Sequence, residues 1–240
     1  MNSLNELDII AQRWSSVKDN IGRFAVEFSY KNIIKPCIHN ASSILELGCA
    51  DGVMTRLLIN DFKDVTVIDG SSIALERLKE NIKDWNGLSI CSYFENVESL
   101  PKKYDAIIMA HILEHVKDPV LVLEKYKGFL SENGKIIITV PNAMSFHRLA
   151  GVKMGLLNSI YELNDTDRNV GHLRVYDFDK LAADIEKSGL KILQRDGHWL
   201  KFLSNKQIEQ YMDYKAIEAY FEMGRQFVEN AAEIVVVCGK

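Results

Sequence analysis

Residues 44–52, Ile-Leu-Glu-Leu-Gly-Cys-Ala-Asp-Gly, constrain the fold more than any other stretch of this chain. An apolar run broken only by Glu46 reads as a strand buried on both faces, and such strands belong to parallel sheets covered by helices. Gly48 and Gly52 then let the backbone turn sharply and come close to a ligand before a helix begins at about residue 53. Strand, tight turn and helix make half of a βαβ unit, so the fold depends on whether the rhythm continues.

It does. Further strands are predicted at 65–69, 88–94, 104–110 and 135–140, with helices at 53–60, from a Ser71 or Ser72 cap to about 85, and at 119–130, the last closed by Asn133-Gly134. Short right-handed crossovers can join five such strands only in an α/β, doubly wound, mostly parallel sheet with helices on both faces. Residues 142–171 break the rhythm with Met, His, Arg, Gly and Asp; too long for a simple connection, they read as a substrate lid. A helix from Asp177 or Asp179 to Ser188-Gly189, a strand at 190–195, amphipathic helices within 204–231 and a strand at 233–238 follow. The last strand returns antiparallel as the seventh of the sheet. The first 40 residues read as two helical pieces, with Trp14, Val17, Ile21, Phe24, Phe28, Ile33 and Ile34 at helical spacing before Pro36. The expected organisation is one domain over 1–240, with an N-terminal helical cap at 1–40, a lid at 142–176 and a C-terminal helical insertion at 204–231.

Composition narrows the partners. Hydrophobic residues at 47% and charged residues at 26% are ordinary globular values, and a net charge of −4 gives no general electrostatic reason to expect nucleic acid. Cysteines 37, 49, 91 and 238 show neither C-x-x-C pairing nor histidines at zinc spacing. No disulfide framework and no metal are therefore expected, and a reducing, cytoplasmic compartment is. Glu6 and Asp8 argue against a signal peptide, and no run of 18 apolar residues would span a membrane. A homodimer is compatible with this composition.

Ligands of open α/β sheets bind outside the carboxyl ends of the strands. A carboxylate there, Asp69, can accept hydrogen bonds from both hydroxyls of a ribose. The turn is G-x-x-x-G rather than G-x-G-x-x-G, and Glu46 and Asp51 would repel a pyrophosphate, which argues against NAD. Two carboxylates suit instead a nucleoside with a cationic tail, and S-adenosylmethionine carries both a sulfonium and an ammonium group.

Glu46-x-Gly48-x-x-x-Gly52, Asp69 after the next strand, Tyr104-Asp105 through Leu113-Glu114-His115, Asn133-Gly134 before the strand to Pro141-Asn142, and Gly171-His172-Leu173-Arg174-Val175-Tyr176 together resemble class I S-adenosylmethionine-dependent methyltransferases. The similarity is to the ubiquinone-type O-methyltransferase and related small-molecule group, over about residues 40–195. It implies that backbone around Gly48, Ala50 and Gly52 meets the methionine moiety near Glu46. By the same resemblance Asp69 and Gly70 lie at the ribose, Phe94 and Glu95 border adenine, and His111 sits near the sulfonium. Cys49-Ala50-Asp51 departs from the small residue or glycine many relatives place there.

Methyl transfer to an alcohol or phenol gains from a base within hydrogen-bond reach, whereas a neutral amine need only have lost its proton. His172, beside Arg174 and Tyr176, His147 and Tyr176 itself are the acceptor-side catalytic candidates, with His198 a further histidine on that side. His111 and His115 stand beside the cofactor, His115 as a brace where Glu114-His115 opens a helix. Arg148 and Arg174 could bind an anionic acceptor. The expected reaction is methylation of a small molecule, at a hydroxyl of a sugar, sugar phosphate or specialised metabolite. An N-methyltransferase, an NAD-linked oxidoreductase and a non-catalytic cofactor-binding module are the alternatives.

Overall fold

The computed structural model describes residues 5–13 and 20–240. Its sheet has seven strands: β1 (Ile44–Leu47), β2 (Val65–Asp69), β3 (Ser89–Cys91), β4 (Tyr104–Ala110), β5 (Leu130–Pro141), β6 (Lys191–His198) and β7 (Glu233–Gly239). They lie in the order β3-β2-β1-β4-β5-β7-β6. β1 pairs in parallel with β2 and β4, and β7 runs antiparallel between β5 and β6. The seventh strand is thus reversed, as its position in the sequence predicts.

Helices cover both faces because each central strand is apolar on both. Leu45, Leu47, Ile107, Met109, Ile136 and Ile138 enter one core, while Ile44, Ala106, Ile108 and Ile137 enter the other. Successive residues of a strand face opposite sides, so the unbroken apolar runs feed two layers at once. The crossovers are α4 (Val53–Asp61), α5 (Ser72–Asn81), α6 (Pro119–Lys127) and α9 (Phe178–Lys187). Ser71, Asp118 and Asp177 accept the N3 backbone N–H at the starts of α5, α6 and α9.

Several boundaries differ from the sequence reading for local reasons. β3 spans three residues, and Phe94–Asn96 form a 3₁₀ turn rather than strand. Asn133-Gly134 does not close a helix: α6 ends at Gly128, and β5 begins at Leu130 with a bulge. The register jumps from Tyr104↔Leu130 to Ala106↔Lys135. Ser131 Oγ donates to Asp105 Oδ1 at 2.9 Å across that bulge. Pro36 does not end the N-terminal helix either. α2 (Asn20–Ser29) passes through a π-helical turn, Tyr30–Ile34, into α3 (Lys35–Ile38), and Lys35 N–H reaches back to the Tyr30 carbonyl. The wider turn lets the helix continue through a proline that has no N–H to give. Trp14 and Val17 lie outside the described residues.

Residues 142–176 hold two short helices, α7 (Phe146–Lys153) and α8 (Asp165–Asn169), and an Asn142↔Tyr176 bridge closes the base of the segment. The C-terminal segment forms α10 (Asn205–Tyr211) and α11 (Tyr214–Gln226). Phe221 of α11 stacks edge-on to Phe24 of α2 at 4.8 Å, so the N- and C-terminal helices share a third core. Among the described residues no helix is long and apolar enough to cross a membrane.

Candidate functional site

A cleft of about 1050 Å³ opens beside Asp64, Val65 and Lys102, at the amino end of β2. The residues the sequence singles out lie at the other end, where β1, β2, β4 and β5 terminate and β7 begins. There the β1–α4 turn takes three left-handed positions in five residues: Gly48 (φ +74°), Ala50 (+46°) and Gly52 (+82°). A Cβ at Gly48 would stand 2.5 Å from Ile112 Cδ1 and 3.9 Å from Phe94 Cζ. Gly48 therefore lets the turn lie directly against the residues that follow β4 and β3.

Glu46 is 1% exposed. Its Oε2 accepts from Thr55 Oγ1 at 2.6 Å, while Oε1 is buried with no partner. Burial pushes this carboxyl up to about 8, the Thr55 bond opposing and the nearby Asp69 charge adding to the rise. Asp69 Oδ1 accepts from Ser71 N at 2.8 Å, and Oδ2 from Cys49 N at 2.9 Å and Ala50 N at 3.4 Å. Burial raises its pKa and those backbone bonds hold the rise back. A ribose at Asp69 would share a carboxylate that already ties the β2 end to the β1 turn. Asp51 is buried and pairs with Arg77 at 3.5 Å.

Helix α1 (Glu6–Arg13) covers this turn, a placement no sequence motif announces. Leu7 lies against Gly70, Asn5 Nδ2 donates to the Gly70 carbonyl at 3.0 Å, and Asp8 Oδ1 accepts from Ser71 Oγ at 2.7 Å. Gly70 is thus closed over by protein. Phe94 borders the Gly48 turn, and the Glu95 carbonyl takes a hydrogen bond from Lys125.

The second half of the site is a gathering of histidines and carboxylates. Of the six histidines in the chain, only His39 lies elsewhere. His111, at φ +55°, has Nδ1 3.1 Å from Glu114 Oε1 and Nε2 3.3 Å from Glu233 Oε2. Burial disfavours its charged form, but the Glu233 and Glu114 carboxylates prevail and raise it to about 9. The two carboxylates thus favour the charged form of His111. Residues 111–117 form turns rather than the opening of a helix, which starts at Pro119. His115 Nδ1 faces the Gly171 carbonyl at 3.3 Å, and its ring meets His172 edge-on at 4.7 Å. His172 Nδ1 is 3.1 Å from Asp167 Oδ1. Asp167 itself is lowered to about 2, burial being outweighed by the bonds from His172 and Asn164 and the charge of Arg148. Asp167 escapes a sequence reading because it looks like the N3 residue of an ordinary capping box, a role it also fills for α8. Glu233 escapes it as the first residue of the last strand.

Five residues of the acceptor side are held by protein partners or buried in the core. Arg148 is 7% exposed, and its guanidinium is used by the Ile160 carbonyl at 2.5 Å, the Glu162 carbonyl and Asp167 at 3.3 Å; it braces the lid segment from within. Arg174 donates to the carbonyls of Leu113 at 2.7 Å, Val116 and Lys117 at 3.0 Å, so it fixes the turn bearing Glu114 and His115 rather than facing an anion. Tyr176 is 2% exposed and donates to Asp184 at 2.9 Å, with burial raising its pKa, which removes it as a proton acceptor. His147 is held neutral, lowered to about 3 chiefly by burial, with Nδ1 buried and unpartnered. His198 is likewise lowered to about 3 by burial and stacks on Phe221 at 5.6 Å, inside the aromatic core.

A profile described as a methyltransferase domain matches residues 13–195. Ubiquinone biosynthesis O-methyltransferase of Haemophilus ducreyi is 29% identical over 107 residues, 41% of this chain and 45% of that protein. (S)-coclaurine N-methyltransferase of Thalictrum flavum is 26% identical over 105 residues, covering 42% and 29% respectively. The chain spans less than half the length of these curated relatives. Among solved structures, N-methyltransferase NodS from Bradyrhizobium japonicum, in complex with S-adenosyl-L-homocysteine, superposes with a TM-score of 0.62 at 14% identity over 98% of each chain. An S-adenosylmethionine-dependent methyltransferase from Thermotoga maritima gives 0.67 at 15% identity, over 98% of this chain and 100% of that one. At such identities the structures share the fold. The profile covers well over half of the chain, which therefore belongs to the methyltransferase-domain family.

Proposed function

We propose that this chain methylates a hydroxyl oxygen of a small molecule, with a sugar, sugar phosphate or specialised metabolite as acceptor. The fit of the methyl donor rests on one orphaned atom. Glu46 Oε1 is buried without a donor beside a turn that only a glycine at 48 allows, and the ammonium of a methionine moiety would supply that donor. Glu46, Gly48, Ala50, Asp69 and Phe94 are the residues that would hold the cofactor, while Gly70 lies beneath helix α1. When bound, S-adenosylmethionine supplies an electrophilic methyl carbon on a sulfonium.

What the chain adds is alignment and proton handling. Holding a nucleophile in line can supply on the order of 7–11 kcal/mol. The observation that carries an oxygen acceptor is the His172–Asp167 pair at 3.1 Å, an imidazole oriented by a carboxylate as in other proton-abstracting sites. An amine that arrives neutral would need no such pair. In this reading the proton of the acceptor hydroxyl passes to the ring nitrogen of His172 that Asp167 does not hold, and Asp167 stabilises the resulting imidazolium. The lid at 142–176 and the helices of 204–231 would close over the acceptor within one domain. A reducing, cytoplasmic setting is supported by the four unpaired cysteines.

The test is methyl transfer from labelled S-adenosylmethionine to matched alcohol and amine members of one acceptor panel. Alcohols should be preferred and turnover on them should need His172; preference for amines, with His172 dispensable, would reassign the reaction.

A further inference from the structure

We propose that Glu114, His115 and His172 form a binding site for one divalent transition-metal ion, with open coordination positions facing the acceptor. One ligand atom from each residue lies within 4.8 Å of the others. Zinc-type ions hold nitrogen and oxygen ligands at about 2.0–2.2 Å in tetrahedral geometry, so two ligands of one ion stand about 3.3–3.6 Å apart. A closure of about an ångström, within the reach of side-chain rotation, completes the set.

Three independent features point to an ion. Glu114 is 1% exposed, yet its Oε2 has no hydrogen-bond partner. An orphaned carboxylate oxygen in a buried site costs stability unless a cation or donor meets it. The second feature is the outer shell. His115 Nδ1 sits 3.3 Å from the Gly171 carbonyl and His172 Nδ1 3.1 Å from Asp167 Oδ1. That is how metal-bound histidines are fixed in tautomer and orientation, leaving Nε2 for the ion. The third is rigidity. Arg174 locks the carbonyls of Leu113, Val116 and Lys117, and Leu173 N donates to the Glu114 carbonyl at 2.8 Å, tying the strand of His172 to the turn of the other two ligands.

Two imidazoles and one carboxylate suit zinc, cobalt, manganese or ferrous iron, and three protein ligands leave room for substrate. The acceptor this site would take is one with two neighbouring oxygens, such as a vicinal diol, a catechol or a hydroxy-carbonyl group, able to chelate. With the ion bound, His172 Nε2 is a ligand and is not also the base; coordination instead lowers the pKa of the bound hydroxyl, which releases its proton to solvent near neutral pH. That role rests on the methyl-transfer reading; the binding of the ion does not.

Cobalt(II) is the probe, followed by its visible absorption in the full chain after chelator treatment. One equivalent should bind with a low-coordinate spectrum. His115→Gln and His172→Gln should each weaken binding by more than about 100-fold, and Asp167→Asn by about 10–100-fold. Calorimetry with S-adenosylhomocysteine on the same metal-free samples reports folding and should be unchanged. If the wild-type chain binds no cobalt, or binds it equally in both histidine variants while S-adenosylhomocysteine still binds, the metal site is overturned and the methyltransferase reading stands. If cobalt binds as expected but S-adenosylhomocysteine does not, the metal site stands and the cofactor assignment falls. An acceptor panel with and without chelator then separates ion from base: loss of turnover on chelation supports the ion's role, and full activity without metal rejects it.

Discussion

The two halves of the site are built in opposite ways. The cofactor half is local. Glu46 through Gly52 is one turn, and Asp69, its main partner, lies one strand away and works by accepting backbone N–H groups from Cys49, Ala50 and Ser71. The acceptor half is assembled from the ends of β4, β6 and β7 and from the lid, and its contacts run between side chains: His111 with Glu114 and Glu233, His172 with Asp167, His115 against His172. Backbone geometry protects the first, so a substitution there should act on cofactor affinity. Tertiary docking protects the second, so substitutions there should leave the cofactor bound and change turnover or stability.

The largest expected effect separates the halves most cleanly. His172→Ala should lower turnover on a hydroxyl acceptor by about 10²–10⁴-fold. S-adenosylhomocysteine affinity, read by calorimetry, should stay within a factor of two or so, because a cofactor-neutral change is what the separation requires. Equal losses in both would show that the lid and the cofactor turn act as one unit.

Next in size is a test of docking. Helix α11 lies so close to the end of β6 that a Cβ on Gly224 would stand 2.1 Å from Trp199 N and 2.4 Å from the His198 carbonyl carbon. Those are backbone atoms, which cannot swing aside. Trp199 N and Leu200 N also donate to the carbonyls of Phe221 at 3.1 Å and Tyr220 at 2.8 Å, so the helix anchors this wall through its own backbone. Gly224→Ala should therefore cost about 3 kcal/mol, the upper part of the range for overpacking, in urea unfolding. A cost below about 0.5 kcal/mol would mean that the wall yields.

Asp69→Ala should come third, weakening S-adenosylhomocysteine about 10–100-fold, as expected for charge-assisted bonds of about 1.5–3 kcal/mol. Part of that loss would come from the turn itself, since three backbone N–H groups lose their acceptor. Asp69→Asn keeps an acceptor for the turn, so a smaller loss in that variant would separate scaffold from ribose.

The same contrast explains what was legible in the sequence. Apolar runs at β1, β2, β4 and β5 and the glycine turn are contiguous, so the parallel sheet and the cofactor half could be read directly. For Arg148, Arg174 and Tyr176 a sequence shows the charge or hydroxyl but not the carbonyl or carboxylate it meets. Arg174 looks like an anion binder until Leu113, Val116 and Lys117 turn their carbonyls toward it. Asp51 reads as a ligand carboxylate in the sequence because Arg77, its partner, lies on α5, one strand and one helix further on. The five histidines of the acceptor half span residues 111–198, and only the crossing of β4, the lid and β6 brings them to one end of the sheet. The helix boundaries at Pro36 and Asn133-Gly134 failed for a different reason: a π-helical turn and a bulge absorbed residues that usually punctuate.

The smallest predicted effect tests the electrostatics of each half in a different pH window. Glu46 is an acid raised from its ordinary 4.5 to about 8, so the folded chain holds a proton that the unfolded chain releases. Its contribution to stability therefore falls as pH rises from about 4.5 to 8 and is constant above. His111 is a base raised from 6.5 to about 9, so its contribution is fully present below 6.5 and lost as pH rises through 9. Between pH 4.5 and 6.5 Glu46 therefore titrates while His111 does not, and Glu46→Gln should reduce the slope of the stability profile in that window, measured by urea unfolding at each pH. A ligand ammonium beside Glu46 Oε1 favours the ionised carboxyl, so binding expels the proton. S-adenosylhomocysteine affinity should accordingly rise from pH 6 to 8, by at most about tenfold per unit, and the rise should vanish in Glu46→Gln. A slope that persists in this variant would place the cationic tail away from Glu46 and make its orphaned oxygen a structural feature of the turn alone.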